Sequence, residues 1–202
     1  MHIAILLAGH TNKAMPQRFH DYNDMFSDLF ASLPVGKNFR FTTLAVVDDV
    51  FPAQIDDYDG YLVSGSAYGV YDDAPFIPKL MDFLRQIYAA KKRLAGVCFG
   101  HQIIAHALGS TIGPHCEGFH EFGYYPLTLT EDAHGFFPEG IYGTESHYHG
   151  FSLPEGATLL ATTDHFLQAF SFGKTTYGFQ FHPECTRENF KCWQASDFAA
   201  YG

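Results

Sequence analysis

Gly96-Val97-Cys98-Phe99-Gly100-His101-Gln102 decides the fold, because it joins an apolar run to a helical pattern. The run at 93–97 is typical of a buried strand, and the apolar residues between 103 and 108 have helical spacing, with Gly109 as a C-cap. A strand that enters a helix through Gly-x-Cys-x-Gly has the geometry of a nucleophile elbow, in which glycines permit a sharp turn. Cys98 would then lie at a helix N-terminus, where the thiolate is favoured. The alternative is a buried structural cysteine.

The chain before the elbow alternates strand and helix patterns. Apolar runs predict strands at 2–7, 39–47 and 60–63, and helical spacing predicts helices at 18–33 and 75–91. This order predicts an α/β fold with a mostly parallel, open, flavodoxin-like sheet, flanking helices and a site at the carboxyl ends of the strands. The small-residue loop at 64–71 follows the third strand. Its backbone N–H groups are suited to binding an anion or an oxyanion.

The C-terminal half has a different pattern. Short strand-like runs separated by turns predict antiparallel additions to the sheet, at 124–130, 140–145, 157–162, 168–172 and 176–181. Residues 186–201 have the pattern of a closing helix. Since no Pro/Gly/Ser-rich linker divides the 202 residues, we expect a single domain over 1–202.

Composition excludes several classes of protein. A net charge of −10 argues against a nucleic-acid binder, and the longest apolar stretch, 3–8, is too short to span a membrane. The four cysteines form no CxxC pair, and residues 1–8 lack the basic start of a signal peptide, so we expect a reducing, cytoplasmic location. A zinc site in the loop that holds His115, Cys116, Glu117 and His120 is a weaker alternative, because the spacing fits no standard pattern.

His182-Pro183-Glu184 supplies the groups that a cysteine nucleophile needs. His182 and Glu184 are two residues apart, so both point to one face of an extended strand. A base that is oriented by a carboxylate matches Cys/His/acid catalysis. The sequence therefore predicts a catalytic triad of Cys98, His182 and Glu184.

These two motifs together resemble the class I glutamine amidotransferase family. That family pairs G-[IV]-C-x-G-x-Q with a later G-x-Q-F-H-P-E, here residues 96–102 and 178–184. The loop at 64–71 and the stretch at 121–130 are also similar to family segments. The resemblance is strongest to stand-alone members that are similar to the amidotransferase domain of GMP synthase.

The resemblance implies a reaction and a role for each matching residue. Cys98 would attack the γ-carboxamide of glutamine, His182 would move the proton, and Glu184 would orient His182. The backbone N–H groups of Phe99 and Ser66 would form the oxyanion hole. Gly65 and Gln102 would bind substrate. Neither a metal nor another cofactor is required, and a separate synthetase subunit would accept the ammonia.

Two departures from the family pattern leave alternatives open. The oxyanion loop has Gly65-Ser66-Ala67 where the family usually has Gly-Gly-Pro. The family's Ser-His-x-Asp corresponds to residues 146–149, which contain no acid. A second register aligns residues 148–151 with the Asn-His-Gly-Phe of carbamoyl-phosphate synthetase small subunits and makes Gly150 and Phe151 substrate-binding residues.

Three functions therefore remain open. The first is a glutamine amidotransferase or glutaminase. The second is a γ-glutamyl peptidase with the same triad, and the absence of an acid after His147 favours it slightly. The third is a catalytically silent binding partner, against which the complete triad argues.

Overall fold

An eight-stranded sheet organises the chain in a computed structural model that describes residues 1–11, 21–114 and 119–193. The described residues form twelve strands in all, eight of them in this sheet: β1 (His2–Leu6), β2 (Arg40–Leu44), β3 (Gly60–Val63), β4 (Arg93–Val97), β5 (Ile112–Pro114), β6 (Glu121–Pro126), β7 (Thr128–Leu129), β8 (Tyr142–His147), β9 (His149–Phe151), β10 (Thr158–Thr162), β11 (Leu167–Phe172) and β12 (Thr176–Phe179). The helices longer than one turn are α1 (Tyr22–Ser32), α2 (Phe76–Ala89), α3 (Phe99–Ala107) and α4, which begins at residue 187 and is described to residue 193.

The strand order of the main sheet is β2-β1-β3-β4-β12-β11-β10-β7. Pairing is parallel from β2 to β12 and antiparallel from β12 to β7. Two small antiparallel sheets, β5-β9 and β6-β8, stand beside it. The predicted α/β class with a mostly parallel sheet and antiparallel additions is confirmed.

Burial explains why the first strands take central positions. Every residue of β3 is buried, and β1 is buried from Ile3 to Leu6, as expected for parallel strands that are covered on both faces. The edge strand β2 is more exposed, and Phe39 and Phe41 pack there on Phe30 of α1, with ring centroids 5.0 Å apart in each pair. The face of α1 that carries Phe26 and Phe30 therefore packs on the sheet. The predicted helix at 18–33 agrees with α1, although residues 18–20 lie outside the described residues.

The helices α2 and α3 cover the parallel part of the sheet. The buried residues of α2 are Phe76, Ile77, Leu80, Leu84 and Ile87. The helical spacing predicted four of these to face inward, all but Phe76, and it also predicted Met81 and Tyr88, of which Met81 is partly buried and Tyr88 is exposed. Helix α3 is buried along most of its length. Among the described residues, no helix combines the length and apolarity needed to cross a membrane.

Several predicted boundaries in the C-terminal half are wrong. The run at 124–130 is two strands in different sheets, because the chain leaves β6 at Pro126, buries Leu127 and joins the main sheet as β7. The run at 140–145 forms a strand two residues later, at Tyr142–His147. Strands β5 and β9 were not predicted, since three residues are too few to show a period. The predicted helix at 186–201 agrees with α4 as far as residue 193, and the rest lies outside the described residues.

Candidate active site

Cys98 lies on a sharp turn between β4 and α3. Its backbone has φ +52° and ψ −106°, a left-handed conformation that costs a non-glycine residue free energy. The flanking glycines make the turn possible. A Cβ on Gly96 would lie 2.3 Å from the carbonyl oxygen of Gly100, and a Cβ on Gly100 would lie 2.4 Å from that of Val63. The sequence-predicted elbow is present, with the sulfur at the N-terminus of α3.

His182 reaches Cys98 because β12 pairs with β4. Val97 is the register partner of Phe179, and the Cys98 N–H donates to the Phe179 carbonyl oxygen at 2.9 Å. The chain then continues to His182, whose buried ring lies close enough to the Cys98 sulfur for the two groups to interact electrostatically. Gly65, which follows β3, adjoins both residues, since a Cβ on Gly65 would lie 3.2 Å from His182 Cε1 and 3.8 Å from Cys98 Cβ.

Glu184 holds the other side of the His182 ring. Its Oε1 is 2.7 Å from Nδ1 of His182, and both side chains are buried. Burial by itself would lower the pKa of His182, but the charge of Glu184 and then the Cys98 sulfur outweigh it and raise this pKa well above its usual value. The arrangement therefore favours the protonated form of His182 beside Cys98.

An aromatic contact on the His182 ring was not predicted as part of the site. The Trp193 ring of α4 packs edge-on against it, with centroids 5.0 Å apart, and Tyr22 of α1 packs on Trp193 at 6.0 Å. The sequence indicated only that Trp193 was available for packing. No local pattern connects a helix near residue 190 with a histidine that precedes it.

The predicted oxyanion residues lie on two sides of the elbow. Phe99 is the first residue of α3, and its buried ring packs toward Phe76. Ser66 fixes the loop after β3, because its hydroxyl donates to the Ala8 carbonyl oxygen at 2.9 Å and accepts from the N–H of Tyr68 at 3.1 Å. The Ser66 side chain thus ties this loop to the end of the segment that follows β1.

The predicted substrate-binding residues have different surroundings. Gly65 adjoins Cys98 and His182, as described above. Gln102 is buried, and its Nε2 donates to Oε1 of Gln180 at 3.0 Å. Gly150 is the register partner of Gly113 in the β5-β9 sheet, and the Phe151 ring packs near those of His101 and Phe170. The Phe151 side chain thus packs against the core while it stays partly exposed.

Residues 146–149 separate into two environments. His147 ends β8 and is buried beside Glu121 and Glu145, while His149 begins β9 and contacts the hydroxyl of Tyr71 through Nε2. Glu121, Glu145 and His147 are also the group of described residues whose metal-binding atoms lie within 4.8 Å of one another. Of the loop considered for zinc, residues 115–118 lie outside the described residues, and the His120 ring contacts Tyr148.

Together the fold and the site define a class: an α/β protein that presents a cysteine on a strand–helix elbow beside a carboxylate-bound histidine. Comparison with known proteins identifies the family. The family model described as "Glutamine amidotransferase class-I" matches residues 37–198. The chain belongs to the class I glutamine amidotransferase family.

Relatives of two kinds are similar to this chain. Gamma-glutamyl peptidase 3 of Arabidopsis thaliana is 30% identical over 197 residues, covering 92% of this chain and 77% of the relative. The glutamine-hydrolyzing GMP synthase of Porphyromonas gingivalis is 34% identical over 140 residues, covering 66% of this chain but 26% of that enzyme. The crystal structure of a glutamine amidotransferase from Thermotoga maritima superimposes with a TM-score of 0.81 at 24% identity, covering 99% of this chain and 84% of that one. This last similarity shows the fold.

Proposed function

We propose that this chain hydrolyses a γ-glutamyl amide bond through a thioester on Cys98, with glutamine as the substrate. The observation that carries the proposal is that Cys98 and His182 lie on either side of Gly65, with Glu184 Oε1 2.7 Å from Nδ1 of the His182 ring. A nucleophile, a base and an orienting acid in this order are what acyl transfer requires.

The first half-reaction forms the thioester. The thiolate of Cys98 attacks the γ-carbonyl carbon, and the carbonyl π electrons move to oxygen to give a tetrahedral oxyanion. When the C–N bond breaks, the His182 imidazolium gives its proton to the departing nitrogen, which leaves as ammonia. Glu184 keeps the Nδ1–H of His182 oriented, so that Nε2 is the nitrogen that exchanges the proton.

Backbone N–H groups at the elbow are suited to stabilising the oxyanion. The donors that we assign are the Phe99 N–H at the start of α3 and an N–H of the loop at Gly65 and Ser66, which adjoins Cys98. In other enzymes the loss of one such donor raises the barrier by about 3 kcal/mol. Gln102 and the backbone of Gly150 and Phe151 are the further groups that we assign to substrate binding.

The second half-reaction restores the enzyme. Neutral His182 takes a proton from water as the water oxygen attacks the thioester carbon, and the C–S bond breaks to release glutamate and the thiolate. In an amidotransferase the ammonia passes to an acceptor on a separate synthetase subunit. The amidotransferase relatives support such a partner, since the matched region is about a quarter of the GMP synthase chain.

A second candidate, hydrolysis of γ-glutamyl peptides, uses the same steps with an amino acid or peptide amine as the leaving group. It is favoured by the match to gamma-glutamyl peptidase 3, which extends over 92% of this chain. It is also favoured by His149, a residue without negative charge in the segment that carries an acid in the family pattern.

Parallel assays decide between these substrates. Purified protein is incubated with glutamine or with γ-glutamyl dipeptides, ammonia and free amino acid are measured, and the Cys98→Ala variant is the control. Ammonia release from glutamine supports the first candidate. Turnover of dipeptides without turnover of glutamine supports the second, and no Cys98-dependent turnover of either contradicts the proposal.

A further inference from the structure

A buried group of polar side chains lies behind the catalytic histidine. Glu121 of β6, Glu145 and His147 of β8 and Gln168 of β11 form this acid–imidazole cluster, and the first three are at most 8% exposed while Gln168 is fully buried. Nε2 of His147 is 3.1 Å from a carboxylate oxygen of Glu145 and 3.3 Å from one of Glu121. Nε2 of Gln168 donates to that same Glu121 oxygen at 2.7 Å. One imidazole thus bridges two carboxylates.

The strands that carry this cluster also hold the catalytic segment. The carbonyl oxygen of Thr144, next to Glu145 in β8, accepts the His182 N–H at 2.9 Å. The carbonyl oxygen of Gln168 accepts the Gln180 N–H at 2.8 Å. A Cβ on Gly143 would meet both Glu145 Oε1, at 2.2 Å, and Phe181 Cβ, at 2.9 Å, so that β8 and the segment before His182 are in close contact. The backbone of His182 is therefore fixed by the strands that the cluster joins.

Fold stability alone does not account for this composition. Removing two carboxylates and an imidazole from water is unfavourable, and buried ion pairs are often replaceable by apolar residues without loss of stability. Such a cluster fixes the relative positions of the strands that carry it, because each charged side chain has few places where its charge is compensated. The cluster therefore fixes β8, and β8 in turn is hydrogen-bonded to His182.

We propose that His147, bridged between Glu121 and Glu145, is a positioning residue that sets the placement of His182 through the Thr144 carbonyl. The inference rests on the proposed function, because it concerns the base of that reaction. Electrostatics agree with it. Burial opposes the charge of His147, but Glu121 and Glu145 outweigh burial and raise the pKa of His147 to about 9, so that the bridge is charged at neutral pH. The catalytic groups whose charges bear on this cluster are Cys98 and His182.

Two variants test the proposal. His147→Asn removes the bridge, and Glu145→Gln keeps the side-chain size while it removes one of the two carboxylates. Glu139→Gln, at an exposed position before β8, makes the same change of charge as Glu145→Gln and is the matched control. Circular dichroism and thermal melting identify which variants fold. If His147→Asn does not fold, Glu145→Gln still tests the proposal.

Two measurements are made on the folded variants. We expect kcat to fall between about tenfold and a hundredfold, with KM within about twofold, because displacement of a catalytic group by about 1 Å costs up to about a hundredfold. The second measurement needs no substrate. The rate of Cys98 alkylation by iodoacetamide is measured against pH by mass spectrometry of the peptide that contains Cys98. We expect the pH profile of this rate to differ from that of the wild type, because the reactivity of a thiol depends on the groups placed beside it.

The outcomes are distinguishable. A folded Glu145→Gln protein with wild-type kcat and a wild-type alkylation profile overturns the proposal. Stoichiometric zinc or manganese in the purified wild-type protein, absent from Glu145→Gln, also overturns it, because the cluster would then be a metal centre. If the proposed substrates are not turned over by the wild type, the proposed function fails, while a shifted alkylation profile in Glu145→Gln still supports the positioning of His182.

Discussion

The backbone N–H of Cys98 donates to the carbonyl oxygen of Phe179 at 2.9 Å, and this bond joins the ends of two adjacent parallel strands, β4 and β12. Each strand delivers one reactive group just beyond its last residue, the thiol from β4 and the imidazole from β12. The register of a single strand pair therefore sets the distance between these two side chains. Predictions about activity and stability follow from this arrangement.

Replacement of the nucleophile should abolish turnover and leave the fold intact. We expect Cys98→Ala to reduce kcat by about 10⁶-fold, as removal of a triad nucleophile does in other enzymes, because no other group forms the thioester. Ammonia release and dipeptide hydrolysis measure the loss, and thermal melting measures the fold. Cys192→Ala, a cysteine outside the site, should keep wild-type turnover. Substantial activity in Cys98→Ala would contradict the assignment.

Loss of the Glu184 charge should lower kcat and leave KM nearly unchanged. Glu184→Gln no longer fixes the tautomer of His182 or stabilises its imidazolium, and the corresponding change in a serine protease triad reduces kcat about 10⁴-fold. Steady-state kinetics beside Glu155→Gln, an exposed control with the same change of charge, test this prediction. A loss confined to KM would mean that Glu184 binds substrate instead of orienting the base.

A methyl group at Gly96 should destabilise the protein. The added Cβ would lie 2.3 Å from the backbone oxygen of Gly100, which cannot move without displacing the elbow, so we expect Gly96→Ala to reduce the free energy of unfolding by about 3 kcal/mol or more. Gly113→Ala is the control, because no heavy atom lies within 4 Å of its added Cβ. Urea denaturation compares the two variants, and equal stabilities would show that the elbow accommodates a side chain.

His101 should make the protein sensitive to acid. Its ring is fully buried against Phe151 and Phe170, and this burial lowers its pKa to about 3. Between pH 6.5 and 3 the unfolded chain binds a proton at this residue and the folded protein does not. The contribution of neutral, buried His101 to the free energy of unfolding is therefore complete above pH 6.5 and is lost as the pH falls toward 3.

The matching experiment compares His101→Leu with wild type. The slope of the unfolding free energy against pH measures how many more protons the unfolded chain binds than the folded protein. In the variant this slope should be smaller in the acid range by up to about 1.4 kcal/mol per pH unit, which corresponds to one proton. Urea unfolding at a series of pH values gives the slopes, and His134→Leu, changed at an exposed position, is the reference. If the two variants have the same slope, His101 is not the residue responsible.

The sequence was sufficient to predict the parallel half of the fold and the elbow, because the signals there are local. Strands β3 and β4 were predicted with the bounds that the structure shows, and glycines around Cys98 indicate a turn by their spacing alone. The later strands were less predictable. Strand β12 lies between β4 and β11, and no periodicity in 176–181 reveals which strand it joins.

The groups around the site were predicted only where a short motif contains them. His182 and Glu184 are two residues apart, so their contact could be predicted, while Trp193 reaches the same ring from another element. The pairing of Glu121 with His147 depends on the register of β6 with β8, in which these two residues are directly opposite. Such a cross-strand relation leaves no mark in a single sequence, and the acid–imidazole cluster was missed for this reason.

Strand β12 is among the last strands in the sequence but lies between β4 and β11 in the sheet. Insertion of β12 therefore both completes the sheet and brings His182 to Cys98. A chain in which residues 176–184 have not yet inserted has a thiol without its base, whatever the state of the first four strands. In such a chain Cys98 should react with alkylating reagents as an ordinary thiol does, until insertion brings His182 beside it. A change in the rate of Cys98 alkylation during refolding would therefore time the insertion of β12.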